Sequence, residues 1–304
     1  MSEPLVSIIV PSYNRAATLP RTVESVLAQS HQSLEILIVD DGSTDGTMAV
    51  AKSLCQRDPR VGVLTNQRRK GAPGARNTGL GAAKGKWVVF LDSDDTLESE
   101  MISRLLALAE GDGKPQVVTC YTRFIDEESG KHLEHLDLRR FTQGNIYCSL
   151  LTGETYVPIH AAIIRNDSLR QIEGFDEACP SFQEWDLHLR LARSCHYACL
   201  PELLVNYFQH ANQMSKRETS NCLGLLYVYR KHRDGWFRND LMKNWKTRQV
   251  DLFRSIVSSS DRRTSLLISL FKTEPRSIVW IPQSCLLHLC RRLRSKLFAS
   301  SSPS

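Results

Sequence analysis

The sequence predicts an α/β domain, a mostly parallel sheet flanked by helices, followed by a helical C-terminal extension. Three observations carry this prediction. Short apolar runs alternate with helical periodicity through the first 121 residues, as expected of strands covered on both faces by crossover helices. Asp-rich polar clusters follow the second and fourth runs, and Pro11–Asn14 follows the first. Ligands collect at such carboxyl ends of parallel strands. Charge also changes sign along the chain. Residues 215–304 hold 18 Lys/Arg against 6 Asp/Glu, whereas residues 1–214 hold 21 against 27.

Leu5–Pro11 is a continuous apolar run and predicts a strand buried on both faces. Ala17–His31 carries Leu19, Val23, Val26 and Leu27 at helical spacing. Leu34–Val39 is the second strand, and Thr44–Arg57 the second helix, with Ser43 or Thr44 as its cap. Val61–Thr65 is the third strand. Gly71–Lys84 is a helix with a small-residue face, and Lys86–Leu91 the fourth strand. Glu98–Glu110 reads as a helix and Gln116–Tyr121 as a strand. Phe124–Thr155 is irregular and charged, which suits loops and a short helix. Val157–Arg165 is a short apolar segment, Leu187–Ser194 a helix and Tyr197–Tyr207 a strand. The domain boundaries implied are 1–214 for the α/β body and 215–304 for the basic helical extension. There is no internal repeat.

The composition, 41% hydrophobic and 24% charged, excludes wholesale disorder and collagen-like repetition. A mean hydropathy of −0.28 and the lack of a run of about 18 apolar residues argue against a spanning helix. The first residues lack a basic n-region, so a cleaved signal peptide is not expected. Nine Cys at irregular spacing give no disulfide framework and suggest reduced thiols. Cys195, His196 and Cys199 lack a second metal-ligand pair and read as core.

Asp92-Ser93-Asp94-Asp95 closes the fourth strand. Three acids at one point need a cation, and oxygen ligands select Mg²⁺ or Mn²⁺. Asp95 can instead cap the following helix. Asp40-Asp41-Gly42-Ser43 closes the second strand, where a carboxylate can accept from a base or ribose. No G-x-G-x-x-G follows the first strand and no P-loop motif occurs, which argues against a dinucleotide or P-loop site.

The segment VSIIVPSYNRAATLPRTVESVLAQSHQSLEILIVDDGSTDGT, then GAPGARNTGL and GKWVVFLDSDDTL, resembles inverting family-2 glycosyltransferases of GT-A fold. GFDE at 174–177 and QEWDLHLRLA at 183–192 are similar to the family's second half. The resemblance covers about residues 4–215 and implies a Rossmann-like domain that binds a nucleotide-diphosphate sugar, with a UDP-sugar favoured. It places the nucleoside near Pro11, Tyr13 and Asn14, with Asp41 reading the base and Arg76 near the diphosphate. Asp92 and Asp94, flanking Ser93, match the family's Asp-x-Asp. This makes Asp94 the direct ligand of Mn²⁺ or Mg²⁺ and Asp92 a support for ribose or metal-bound water. His210 is a further ligand candidate.

The same resemblance assigns the general base to Glu184, where the family usually has Asp. Gln183 replaces a usual acid, and Asp186 is the rival base. His160 is a candidate to face the acceptor pocket. The implied acceptor is a hydroxyl of a glycan or lipid-linked intermediate, in cell-surface polysaccharide biosynthesis. The implied place is the cytoplasm, at the inner face of the membrane if the extension binds it.

In the extension, Trp236, Phe237, Trp245 and Phe253 interleave with basic residues, and Cys285–Phe298 is amphipathic. Peripheral membrane contact, packing on the catalytic domain and homo-oligomer formation all suit this pattern. Nucleic acid is disfavoured once the motifs are read. The alternatives are a nucleotidyltransferase, which lacks its basic Gly-rich loop here, and a non-catalytic binding protein using the tail.

Overall fold

The computed structural model describes residues 3–133, 143–209, 218–239 and 241. Met1–Lys216 and Arg217–Ser304 form separate compact units. Among the described residues, the first unit holds a nine-stranded sheet in the order β3-β2-β1-β4-β8-β6-β9-β5, with β7 beside β6.

Its first half is built from β1 (Val6–Ser12), α1 (Leu19–Leu27), β2 (Leu34–Asp40), α2 (Thr47–Arg57), β3 (Val61–Thr65), α3 (Ala72–Ala82) and β4 (Trp87–Phe90). These four strands pair in parallel. All seven residues of β1 are buried, because helices cover both faces of the sheet. Val6, Ile8, Val10, Ile36, Ile38 and Val89 share one core with Leu19, Val23 and Val26 of α1 and Ala51 and Leu54 of α2. Each large aliphatic buried there contributes about 1.5–3 kcal/mol. The helix α3 packs on β1 and β2.

The second half comprises β5 (Thr96–Leu97), α4 (Met101–Ala109), β6 (Val117–Asp126), β7 (His132–Leu133), α5 (Tyr147–Thr152), β8 (Ala162–Arg165), α6 (Asn166–Gln171), α7 (Gln183–Leu191) and β9 (Tyr197–Gln209). A 3-10 turn, Ile159–Ala161, precedes β8. Strand β8 runs antiparallel to both β4 and β6, whereas β6 and β9 pair in parallel over a long register. The longest ladders of the sheet are therefore parallel, and β8 is the reversed strand that joins its two parallel runs.

Several elements differ from the sequence expectations. The helix α1 starts two residues later than predicted, because Arg15 O accepts the Thr18 and Leu19 N–H groups in a preceding turn. Ser43 and Thr44 do not cap α2, which begins at Thr47. Ser43 Oγ instead accepts the Asn14 N–H, and the Asp45 carboxylate accepts the Thr47 N–H and hydroxyl. Asp95 does not cap α4, since its carboxylate accepts the Phe208 N–H. The irregular stretch after Phe124 holds the end of β6, its hairpin to β7, and α5. The helix expected from Leu187 begins at Gln183, which places Glu184, Trp185 and Asp186 within its first turn.

In the second unit, α8 (Glu218–Lys231) and α9 (Arg233–Arg238) are described. Trp236 is fully buried and meets Tyr229 edge to face at 6.0 Å, so this aromatic packs as core rather than at a bilayer surface. Trp245, Phe253 and Cys285–Phe298 lie outside the described residues, as does His210. No helix among the described residues is long and apolar enough to cross a membrane.

Candidate active site

Parallel pairing brings three polar strand ends to one edge of the sheet. Ser12 is in register with Asp40, and Ile9 with Phe90, so Tyr13-Asn14, Asp40-Asp41 and Asp92–Asp95 leave the sheet together.

The first two ends bring together the residues that the sequence resemblance places near the nucleoside. Pro11 is buried within β1, one residue before its end and opposite Val39 of β2. Asn14 adopts a left-handed φ of 52°, which Asn tolerates better than most residues. Its Oδ1 accepts the Thr44 N–H at 2.8 Å, locking the two loops together. Asp41 is bonded to the β3–α3 loop: Oδ2 accepts the Gly71 N–H at 2.8 Å and Oδ1 accepts from Asn66 Nδ2 at 2.6 Å. Lys70 Nζ lies 4.5 Å over the Tyr13 ring.

Glu177 of the GFDE segment holds the same loop. It accepts from Arg68 and Asn77, and from the Arg69 N–H. Gly74 is required here, because a Cβ at this position would come within 1.9 Å of Arg69 O. The Gly-x-x-Gly-x-Arg-Asn spacing thus seats a basic loop on the first turn of α3 and aims Arg76 inward.

Arg76 joins the acid cluster to the first turn of α7. Its guanidinium is 5% exposed, lies 2.7 Å from Asp92 Oδ1 and 3.5 Å from Glu184 Oε1. Glu184 Oε2 accepts the Tyr156 hydroxyl at 3.1 Å. Burial pushes Glu184 above the usual carboxylate range, and the Asp92 charge adds to this, with Arg76 opposing. Burial acts upward on Asp92 too, but Arg76 and then His160 outweigh it and hold this carboxyl below its ordinary value. Two carboxyl groups within reach of one guanidinium are therefore pushed in opposite directions, which is how acid–base roles are separated in a site.

Asp186 is fully buried and its Oδ2 accepts from Arg190 Nε at 2.9 Å. Asp186 thus fastens α7, whereas the Glu184 side chain is partly exposed.

The acid cluster has the donor set of a divalent-cation site. Asp92, Asp95 and His160 each offer one ligand atom, all within 4.8 Å of one another. Asp95 Oδ2 is buried and has no hydrogen-bond partner. Burial, then the charges of Asp92 and Asp94, push the Asp95 carboxyl well above its usual range. Burial lowers His160 to about 4, leaving a neutral imidazole, with a ring nitrogen bonded to Thr122 Oγ1. Carboxylate oxygens plus neutral imidazole suit Mn²⁺ or Mg²⁺, so the residues fit such an ion.

Asp94, favoured from the sequence as the direct ligand, lies 3.2 Å from Arg15. Ser93 is buried, and its carbonyl accepts the Thr18 hydroxyl. His160, the candidate for the acceptor pocket, lies beside the acids, where the 3-10 turn before β8 carries it to the end of β4. Sequence reasoning missed Tyr156 beside Glu184, and left Asp95 between the acid cluster and a helix cap. An isolated Tyr carries no spacing signal, and an Asp after a strand looks like a helix cap.

Residues 7–173 match the family model Glycosyl transferase family 2. The succinoglycan biosynthesis protein ExoO of Rhizobium meliloti is 33% identical over 223 residues, 70% of this chain and 62% of that protein. The UDP-Glc:alpha-D-GlcNAc-diphosphoundecaprenol beta-1,3-glucosyltransferase WfgD of Escherichia coli is 48% identical over 95 residues, 31% of this chain and 37% of its own length. The chain thus spans less than two thirds of either relative. The crystal structure of S. aureus TarS 1-349 in complex with UDP-GlcNAc superposes with a TM-score of 0.60 at 17% identity, covering 91% of this chain and 89% of that one. The likeness to TarS shows the fold, and the family match over more than half of the residues shows that the chain belongs to glycosyl transferase family 2.

Proposed function

We propose that the chain transfers a sugar from a nucleotide-diphosphate donor, a UDP-sugar in the favoured case, to a hydroxyl of a glycan or lipid-linked acceptor, with inversion. The observation that carries this reading is Glu184: a carboxylate of raised pKa, held by Arg76 and Tyr156 beside the acid cluster at the sheet edge. A carboxylate base of raised pKa is matched to taking a hydroxyl proton. In the reaction the acceptor oxygen bonds to the anomeric carbon as the bond from that carbon to the diphosphate breaks, and the acceptor's proton passes to Glu184. A single displacement inverts the anomeric configuration.

Tyr13, Asn14 and Asp41 bind and orient the nucleoside in this reading, with Pro11 shaping the strand end beneath them. Arg76 keeps Asp92 ionised and orients Glu184. Asp92, with Asp94, Asp95 and His160 around it and Ser93 within the turn, would hold Mn²⁺ or Mg²⁺. When bound, that ion neutralises charge developing on the leaving diphosphate. WfgD, a UDP-glucose enzyme acting on an undecaprenol-linked sugar, and TarS, solved in complex with UDP-GlcNAc, support this choice of donor and acceptor and a role in polysaccharide biosynthesis. The basic excess of residues 215–304 would complement an anionic membrane surface, where lipid-linked acceptors reside.

The test is Glu184→Gln assayed with a panel of nucleotide sugars and Mn²⁺. Donor-induced thermal stabilisation should persist while transfer is lost. Full activity of this variant, with loss on Asp186→Asn, would move the base to Asp186.

A further inference from the structure

Tyr156 occupies an unusual position for an aromatic side chain. Its neighbours Thr155 and Val157 are 4% and 1% exposed, whereas Tyr156 is 50% exposed, more than any other large apolar or aromatic side chain described. The buried neighbours anchor the backbone, and His160 follows within the same short segment, so the ring is fixed at the site rather than carried on a free loop. Its hydroxyl is tied to Glu184 Oε2 at 3.1 Å. Nothing in folding requires half an aromatic ring to stay in water, and open aromatic surface beside a polar site is characteristic of a binding position.

The first turn of α7 adds a second, independent feature. Phe182, the residue before Gln183, has φ 59°, a conformation that is strained for a bulky side chain. Its ring meets Trp185 edge to face at 6.3 Å, and Trp185 Nε1 is bonded to Leu150 O at 2.8 Å. Aromatic rings thus precede and follow Glu184 on one helix turn, and Tyr156 reaches Glu184 from another segment. The donor-side aromatic, Tyr13, belongs instead to the loop bonded to Ser43 and Thr44.

We propose that the exposed Tyr156 ring is the platform of the acceptor subsite, packing against the apolar C–H face of a pyranose, while its hydroxyl orients the Glu184 carboxylate toward the sugar's hydroxyl. This rests on the transferase reading. Tyr156 is then an acceptor-binding and positioning residue. Glu184 Oε2 can accept from both the phenol and the acceptor, because a carboxylate oxygen has two lone pairs. The proton transferred in the reaction goes to Glu184, and the phenol keeps its own.

The experiment uses the full chain with UDP, Mn²⁺ and methyl pyranosides of glucose, galactose and N-acetylglucosamine as probes. Binding is read by saturation-transfer NMR, and turnover with UDP-glucose and UDP-GlcNAc. Wild type should bind at least one pyranoside through its ring protons. Tyr156→Leu should raise that Kd about tenfold while leaving the UDP affinity and the melting temperature unchanged. Tyr156→Phe should hold the pyranoside Kd within about twofold but lower kcat, a split that a merely structural tyrosine would not produce.

An unchanged pyranoside Kd in Tyr156→Leu overturns the platform, as does an equal loss of UDP affinity. Unchanged kcat in Tyr156→Phe overturns the positioning role. A wild type that binds UDP but no pyranoside removes the subsite and leaves the transferase reading intact. A wild type stabilised by no nucleotide sugar removes the transferase reading itself.

Discussion

Arg76→Met removes the one guanidinium that faces both Asp92 and Glu184, and the structure sets the size of the loss. At 2.7 and 3.5 Å, with an effective dielectric near 20, the two attractions are about 6 and about 5 kcal/mol before desolvation. Burying the guanidinium offsets much of this, and its burial is the largest influence on Arg76 itself. The variant, however, leaves both carboxylates behind. Removing one partner of a fully buried pair costs about 3–5 kcal/mol. Here Asp92 and Glu184 are 31% and 23% exposed, so water recovers part of their solvation and about 3 kcal/mol is expected. For a domain this size that lowers the melting temperature by about 6–12 °C. The assay is thermal unfolding by circular dichroism at pH 7 in EDTA, which separates this effect from cation binding. A melting point within about 2 °C of wild type would refute the view that Arg76 supports two charges at once.

Other outcomes follow from the same geometry. Burial pushes Glu177 up, but hydrogen bonds from Asn77, Arg68 and the Arg69 N–H outweigh it and hold the carboxyl below the usual Glu range. Its stabilisation is therefore complete above the unfolded pKa, about 4.3, and is lost as pH falls through the lower folded value. Glu177→Gln should cost about 1 kcal/mol at pH 7, and the difference should vanish in acid; a gap independent of pH would contradict the charge argument. Asp95→Asn should weaken Mn²⁺ binding at least about tenfold by calorimetry, since it alters the orphaned oxygen, and equal affinity would exclude Asp95 from the ion's ligands. Gly174 has φ +69°, and a Cβ there would approach Asn77 Oδ1 to 2.5 Å. Gly174→Ala should therefore cost about 2–3 kcal/mol in urea unfolding, and a neutral result would show that Asn77 yields freely.

The first half of the fold was legible because its strands are buried on both faces and its helices present one apolar stripe. Val61–Thr65 appears in the structure with the bounds read from sequence. Elements whose identity depends on distant partners were not legible. Thr96–Leu97 is a strand through pairing with Val205 and Asn206. The extension of β6 to Asp126 is specified by its ladder to β9. In the site, residues set in regular motifs were found: Arg76, Asp92 and Glu184 do converge. The pairing of His160 with Asp92 and Asp95 was hidden, because a tertiary reversal, not spacing along the chain, brings them together.

That reversal has an evolutionary corollary. Since β8 runs against β4, with Trp87 opposite Arg165, the chain enters β8 at the edge where β4 delivers its acids. Residues 155–160 are thereby spliced into the centre from a segment that contributes nothing to the parallel ladders of β1–β4. In the proposed reading this one stretch therefore carries two duties, the Tyr156 ring that would meet the acceptor and the His160 imidazole that lies beside Asp92 and Asp95. A graft of the stretch that leads into β8 would alter both at once unless His160 were kept, so the position of Tyr156 alone is where this scaffold would be given a new recipient.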